Sequence, residues 1–307
     1  MGDNKLLNNL TVGVKKLTKK LSGSAKDKFE ESATEKAVDT VKSIRGDKGV
    51  DTRSKVVDNY ILFTGHGGTG ASTLVANIAN EMSNRGLSVI VVDLDIVYPT
   101  QHMYAGVSEP VEADLVSALT GESTIGDSIY SKKKYHTLFA SNATIIESIK
   151  CSGTDAVDNY CEMITKLRTL YDVVLVDAPL KIDDKLVNTA LYGCDNIYFV
   201  WDEGVSSIVT AERAKSNLAL SGISTSKIRA VLNKRTGIRY NNTPFDKTGI
   251  ELVEILPFSE DVIISGLAGE IFCDRAESAS KKAVEFERGI KRLTSKILKI
   301  GGYVDGD

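Results

Sequence analysis

The sequence predicts an α/β fold, a three-layer parallel sheet covered by helices on both faces. Three observations carry this expectation. Six apolar runs of strand length recur between residues 56 and 258, helical stretches separate them, and the first run opens through a glycine-rich turn into a helix. Strands buried on both faces read as near-continuous apolar runs, and parallel neighbours require a crossover between them.

In chain order, the strand-like runs are VVDNYILFT (56–64), LSVIVVDLD (87–95), DVVLVDAP (172–179), NIYFVWD (196–202), KIRAVLN (227–233) and ELVEILPF (251–258). Helices are expected at 71–85, 111–120, 155–170, 183–192, 206–221 and 259–267, with a long final helix near 275–300. Residues 1–55 differ. Leu6, Leu10, Val14, Leu17 and Leu21 form an amphipathic stripe, Phe29, Ala33, Ala37, Val41 and Ile44 form a second, and RGDKGVDTRSK (45–55) has linker composition. The expected organisation is a basic helical extension and linker over 1–55, one domain over 56–300 and a tail over 301–307.

Composition narrows the function classes. The 307 residues hold 38 Lys and Arg against 41 Asp and Glu, a net charge of −3, with only 5 Pro and no apolar run of membrane-spanning length. The start lacks a signal-peptide layout. Cys151, Cys161, Cys194 and Cys273 show no C-x-x-C spacing, so reduced thiols and a cytoplasmic location are expected. The charge is uneven: residues 1–26 carry +5 and 281–300 carry +5, leaving −11 over 27–280 once the −2 of the tail is set aside. An acidic body argues against general nucleic-acid coating, while basic ends suit local acidic contacts.

The segment YILFTGHGGTGASTLVANIAN (60–80) is the most informative. Gly65, Gly70, Ala71 and Ser72 fit the spacing G-x-x-x-x-G-K-[ST], with Ala71 at the lysine position. Glycines let successive backbone N–H groups point into one concavity, and the following helix adds its positive end. Ser72 stands where a hydroxyl can reach Mg²⁺.

With His66, Gly67, Gly68, Thr69, Gly70, Ala71, Ser72 and Thr73 in this order, the loop resembles that of the ParA/MinD superfamily of deviant-Walker P-loop ATPases, which reads KGGxGK[ST]T. VVDLDIVYPTQ is similar to the family's V-D-x-D element and YDVVLVDAP to its Walker B strand. The resemblance implies ATP or ADP with Mg²⁺ as cofactors. It implies that Asp95 activates water, that Asp177 holds the Mg²⁺ shell, and that residues 66–73 bind phosphates. VLNK places Asn233 where an Asn usually reads adenine, and ILPFSED places Pro257 beside the base.

Both family lysines are replaced, by Ala71 at the Walker position and His66 at the signature position. Phosphoryl transfer relies on cations that stabilise charge around the γ-phosphate. Nucleotide binding with slow or absent hydrolysis is therefore expected. The lysine-free GGTGAST frame resembles the TadZ/CpaE-type branch, whose members act in pilus assembly, although residues 1–55 are too short and strand-poor for that branch's receiver-like domain. The resemblance implies a homodimer that serves as a positioning or assembly hub with a protein partner. Two other readings stay open: a cycling partition ATPase on DNA or membrane, with His66 or a lysine from elsewhere supplying charge, and a nucleotide-free scaffold.

The ends have two readings each. Residues 1–26 suit either an amphipathic helix that docks on anionic lipid or an acidic partner, or a solvated extension. In 289–303, Ile290, Leu293, Ile297 and Ile300 form a stripe that suits either a peripheral membrane contact or packing on the sheet. The loop KRTGIRYNN (234–242) combines Arg235, Arg239 and Tyr240, a composition compatible with DNA phosphates, though a plain exposed loop is the simpler reading.

Overall fold

A computed structural model describes residues 56–107, 110–131, 133–141, 145–237, 246–274 and 280–303. The extension 1–55, most of the loop 234–242 and the end of the tail lie outside the described residues.

Seven strands form one sheet: β1 Tyr60–Gly65, β2 Val89–Asp93, β3 His136–Leu138, β4 Val173–Pro179, β5 Asn196–Trp201, β6 Ile228–Arg235 and β7 Glu251–Pro257. All pairings between them are parallel, in the order β3-β2-β4-β1-β5-β6-β7. The helices are α1 Ala71–Asn84, α2 Gln101–Ala105, α3 Leu115–Thr120, α4 Ile145–Cys151, α5 Thr154–Leu170, α6 Lys185–Gly193, α7 Val205–Leu220, α8 Glu260–Leu267 and α9 Lys281–Ile300. The predicted three-layer architecture is observed.

Alternation within each strand feeds two cores. Ile61 and Phe63 of β1 join Val89 and Val91, Val173 and Leu175, and helices α1, α8 and α9 on one face. Tyr60 and Leu62 join Ile90 and Val92, Val174 and Val176, and helices α3, α5, α6 and α7 on the other. Full burial of one such aliphatic side chain stabilises by roughly 1.5–3 kcal/mol, so this two-sided packing dominates the fold.

Several boundaries differ from expectation. β3 was not predicted: it has only three residues, two of them polar, yet all are buried and pair with Ile90–Val92. The helix expected at 111–120 starts at Leu115, because Asp114 closes a capping box with Ser117 through bonds of 2.8 Å in each direction. The final helix starts at Lys281, where Ser280 accepts the Ala283 amide.

Of the two readings of the 289–303 stripe, packing on the sheet is the one observed, and the membrane-facing alternative is set aside. Phe286, Ile290, Leu293 and Ile297 of α9 are buried against the sheet. A β-carbon on Gly289 would lie 2.3 Å from Leu256 Cδ2, which shows how closely α9 approaches β7. Two of its basic residues are also engaged: Arg292 and Lys296 pair with Glu254 of β7 at 3.0 and 3.1 Å. These partners hold the Glu254 carboxyl below its ordinary range although burial opposes them. Gly301 accepts the amides of Val57 and Asp58, so the two ends of 56–301 meet.

Candidate functional site

In an open parallel sheet, ligands bind beyond the strand carboxyl ends, where successive connections leave in opposite directions. Here that point is β1. It lies between β4 and β5; the chain leaves it for β2 on one side and reaches β5 on the other only after β4. The Gly65–Thr73 loop sits at this point.

The loop is held from within and from β6. Thr69 donates its amide and its hydroxyl to the His66 carbonyl, at 3.2 and 2.9 Å. Asn233 Nδ2 donates to the Thr69 carbonyl at 2.8 Å, and both residues are buried. Gly68 and Gly70 take φ of 88° and 91°, a region that L side chains rarely adopt. Gly70 is the N-cap of α1, and no side chain caps that terminus. The first-turn amides of α1 thus keep their donor capacity at the positive end of the helix dipole, a constellation suited to phosphate.

The residues expected at the metal come together. Asp177 of β4 is in register with Asp93 of β2. Its Oδ2 accepts Gln101 Nε2 at 2.8 Å, and the same amide nitrogen donates to the Ser72 carbonyl at 3.0 Å. Burial pushes the Asp177 carboxyl up to about 6, against hydrogen bonds from Gln101 and Ser72 that favour its charged form. Asp93 is fully buried and also raised, by desolvation first and the Asp177 charge second. Its oxygens accept the amides of Asp95, Thr100 and Gln101 at 2.8–3.0 Å, which fixes the turn after β2. Asp95 is half-buried on that turn and accepts the Tyr98 amide at 3.2 Å.

Three further placements matter. His66 is exposed, with Nδ1 2.9 Å from the Gly67 carbonyl oxygen. Ala71 is half-buried against the α1-side core. Pro257 ends β7 in register with Arg235, so Asn233 and Pro257 stand at the same end of neighbouring strands.

Gln101, Tyr104 and Lys234 were not singled out from the sequence. Gln101 is fully buried and joins α1 to Asp177. The Tyr104 hydroxyl lies 2.9 Å from Thr73 Oγ1. Lys234 Nζ donates to the Gly68 carbonyl at 2.5 Å. Only the succession Asn-Lys after an apolar strand hinted at the last of these.

Comparison with known proteins agrees with this fold. A family model described as an AAA domain matches residues 60–212, from β1 into α7. The septum site-determining protein MinD of Neisseria meningitidis is 22% identical over 236 residues, covering 73% of this chain and 86% of that protein. MinD of Buchnera aphidicola subsp. Schizaphis graminum is 26% identical over 210 residues, covering 64% and 73%. Among solved structures, the Pyrococcus furiosus cell division ATPase MinD superposes with a TM-score of 0.64 at 21% identity, covering 78% of this chain and 99% of the other. A ParA family ATPase from Chlorobium tepidum gives 0.66 at 20% identity, with 78% and 99% covered.

Proposed function

We propose that the chain is a ParA/MinD-type P-loop ATPase, in keeping with its match to an AAA domain model over residues 60–212, and that it uses this nucleotide fold to bind ATP and to hold a position rather than to cycle. One observation supports this most. The loop frame and the Ser72–Gln101–Asp177 network are assembled, while the two lysine positions are filled by Ala71 and by His66, an exposed side chain beside the Gly67 carbonyl.

In this reading the amides of residues 67–73 cradle the phosphates. Mg²⁺, when bound, neutralises phosphate charge. Ser72 would ligate it directly and Asp177 through water. Asp95 would orient the attacking water in whatever turnover remains. Asn233 and Pro257 would flank the base, with the Asn233 amide also fastening the loop. A related MinD has been solved in complex with Mg-ADP and a putative plasmid partition protein with AMPPNP, which supports ATP or ADP with Mg²⁺ as the ligand class.

The same reading makes the protein a homodimeric, TadZ-like localisation factor in an assembly system, with a separate protein partner. The Aquifex aeolicus MinC:MinD complex is a precedent for such a partner. Residues 56–300 would be the nucleotide domain, 1–55 a basic docking extension and 301–307 a tail. No helix among the described residues is long and apolar enough to cross a membrane. A cytoplasmic protein that reaches the membrane surface through 1–26 fits this reading better than one that uses 289–303, whose apolar face is buried.

The test is calorimetric titration with ATP, with and without Mg²⁺, across pH. Micromolar binding strengthened by Mg²⁺ is expected, and that gain should fade between pH 7 and pH 5 as the Asp177 carboxyl, pushed up to about 6, takes a proton. Without ligand the sign reverses. A carboxyl whose folded pKa is raised binds its proton more tightly in the folded state, so the ligand-free protein should lose stability as pH rises from about 4 through 6. Absence of any ATP binding leaves only the scaffold reading.

A further inference from the structure

We propose that Lys234, at the end of β6, supplies the glycine loop with the positive charge that positions 66 and 71 lack, and so favours nucleotides in proportion to their phosphate charge. This rests on the phosphate-binding reading of the loop given above.

Lys234 is held in an unusual place. Among the described residues it is the only non-glycine with a positive φ, at 57°. A left-handed conformation is unfavourable for a side chain-bearing residue, so the surroundings must enforce it. They do so on both sides. Asn233 is buried and bonded to the Thr69 carbonyl. Arg235 pairs with Glu203 at 2.8 Å, and its carbonyl accepts the Phe258 amide at 2.8 Å. Thr236 donates its amide and hydroxyl to the same Glu203 carboxylate, at 2.9 and 2.6 Å.

The left-handed turn sends the Lys234 side chain back along the loop. Nζ reaches the Gly68 carbonyl oxygen at 2.5 Å, and Cε lies 3.5 Å from where a β-carbon on Gly70 would sit. The ammonium therefore rests against the Gly68–Gly70 backbone, whose glycines shape the phosphate concavity. An ammonium carries three donors, and one is spent on Gly68. Its charge acts on whatever anion the loop holds, and Coulomb attraction scales with that anion's charge. In a loop with the usual lysine this contribution would be minor; with alanine at 71, Lys234 brings a positive charge into direct contact with the loop backbone.

The experiment compares AMP, ADP and ATP binding, with Mg²⁺ at constant ionic strength, in the wild type and in Lys234→Met, Lys234→Arg and Lys234→Gly. Methionine keeps the stem and removes the charge. Glycine removes the charge while relieving the positive φ, so a loss of affinity there cannot come from added backbone strain. Both are expected to weaken ATP about tenfold, ADP less, and AMP little or not at all, with arginine close to wild type. Equal losses for all three nucleotides would mean that Lys234 only braces the loop or touches the base. Unchanged ATP affinity in the methionine and glycine variants would also overturn the proposal. A wild type that binds none of the nucleotides overturns the binding function as well, which separates that failure from this one.

Discussion

Gly70→Ala should abolish nucleotide binding and destabilise the fold by about 2–4 kcal/mol. The residue has φ 91° as the N-cap of α1, and a β-carbon there would stand 2.6 Å from Asn233 Nδ2. Alanine would have to strain the backbone and displace the Asn233 amide from the Thr69 carbonyl, leaving a buried polar group unpaired. Urea unfolding measures the first effect and ATP titration the second. Gly67 provides the internal control. No atom lies within 4 Å of a β-carbon placed there, and its φ is outside the positive region. Gly67→Ala should therefore leave stability within about 0.5 kcal/mol of wild type. Equal effects at the two positions would mean that the Asn233–Thr69 tie does not hold the loop.

The second large effect runs in the opposite direction. Ala71→Lys returns a cation to the first position of α1, beside the amides that face the phosphates. Removing one partner of a desolvated charge pair costs roughly 2–5 kcal/mol. Restoring one at this half-buried position should strengthen ATP binding by about 30-fold, near the low end of that range. Since Lys234 already brings charge to the loop, the gain should be larger in a Lys234→Met background than in the wild type. A double-mutant cycle on ATP affinity measures that coupling. No gain from Ala71→Lys in either background would show that the loop is not a phosphate site.

Much of this architecture was legible in the sequence, for identifiable reasons. The runs at β1, β2, β4 and β5 are apolar on both faces, so their strands were read to within a few residues. β3 escaped because three residues containing His136 and Thr137 carry no strand pattern of their own; pairing with β2 makes them a strand. The stripe on α9 was visible, but a helical period is the same whether the face meets lipid or a sheet. Only the burial of Ile290 and Leu293, and the close approach at Gly289, decide between them.

The site was legible in part. Ser72, Asp95, Asp177, Asn233 and Pro257 come in order near or beyond the carboxyl ends of successive strands, and the fold gathers Ser72, Asp177 and the turn carrying Asp95 around Gln101. Gln101 itself had no signal, because its role depends on a turn after β2 that Asp93 closes through three backbone amides. Lys234 was hidden for a similar reason. Strand alternation gives no hint that its side chain doubles back through a left-handed residue to Gly68. The loss of lysine at 71 was plain in the sequence; that the lysine after Asn233 reaches the loop is seen in the contact of its Nζ with Gly68.

The protein is proposed to hold its nucleotide without cycling. The most direct test is steady-state phosphate release at saturating Mg-ATP, on protein whose nucleotide occupancy is measured in the same sample. The expected result in wild type is a site filled with ATP and negligible phosphate release. Sustained multiple turnover by wild type, abolished by Asp95→Ala, would contradict it and establish a cycling ATPase.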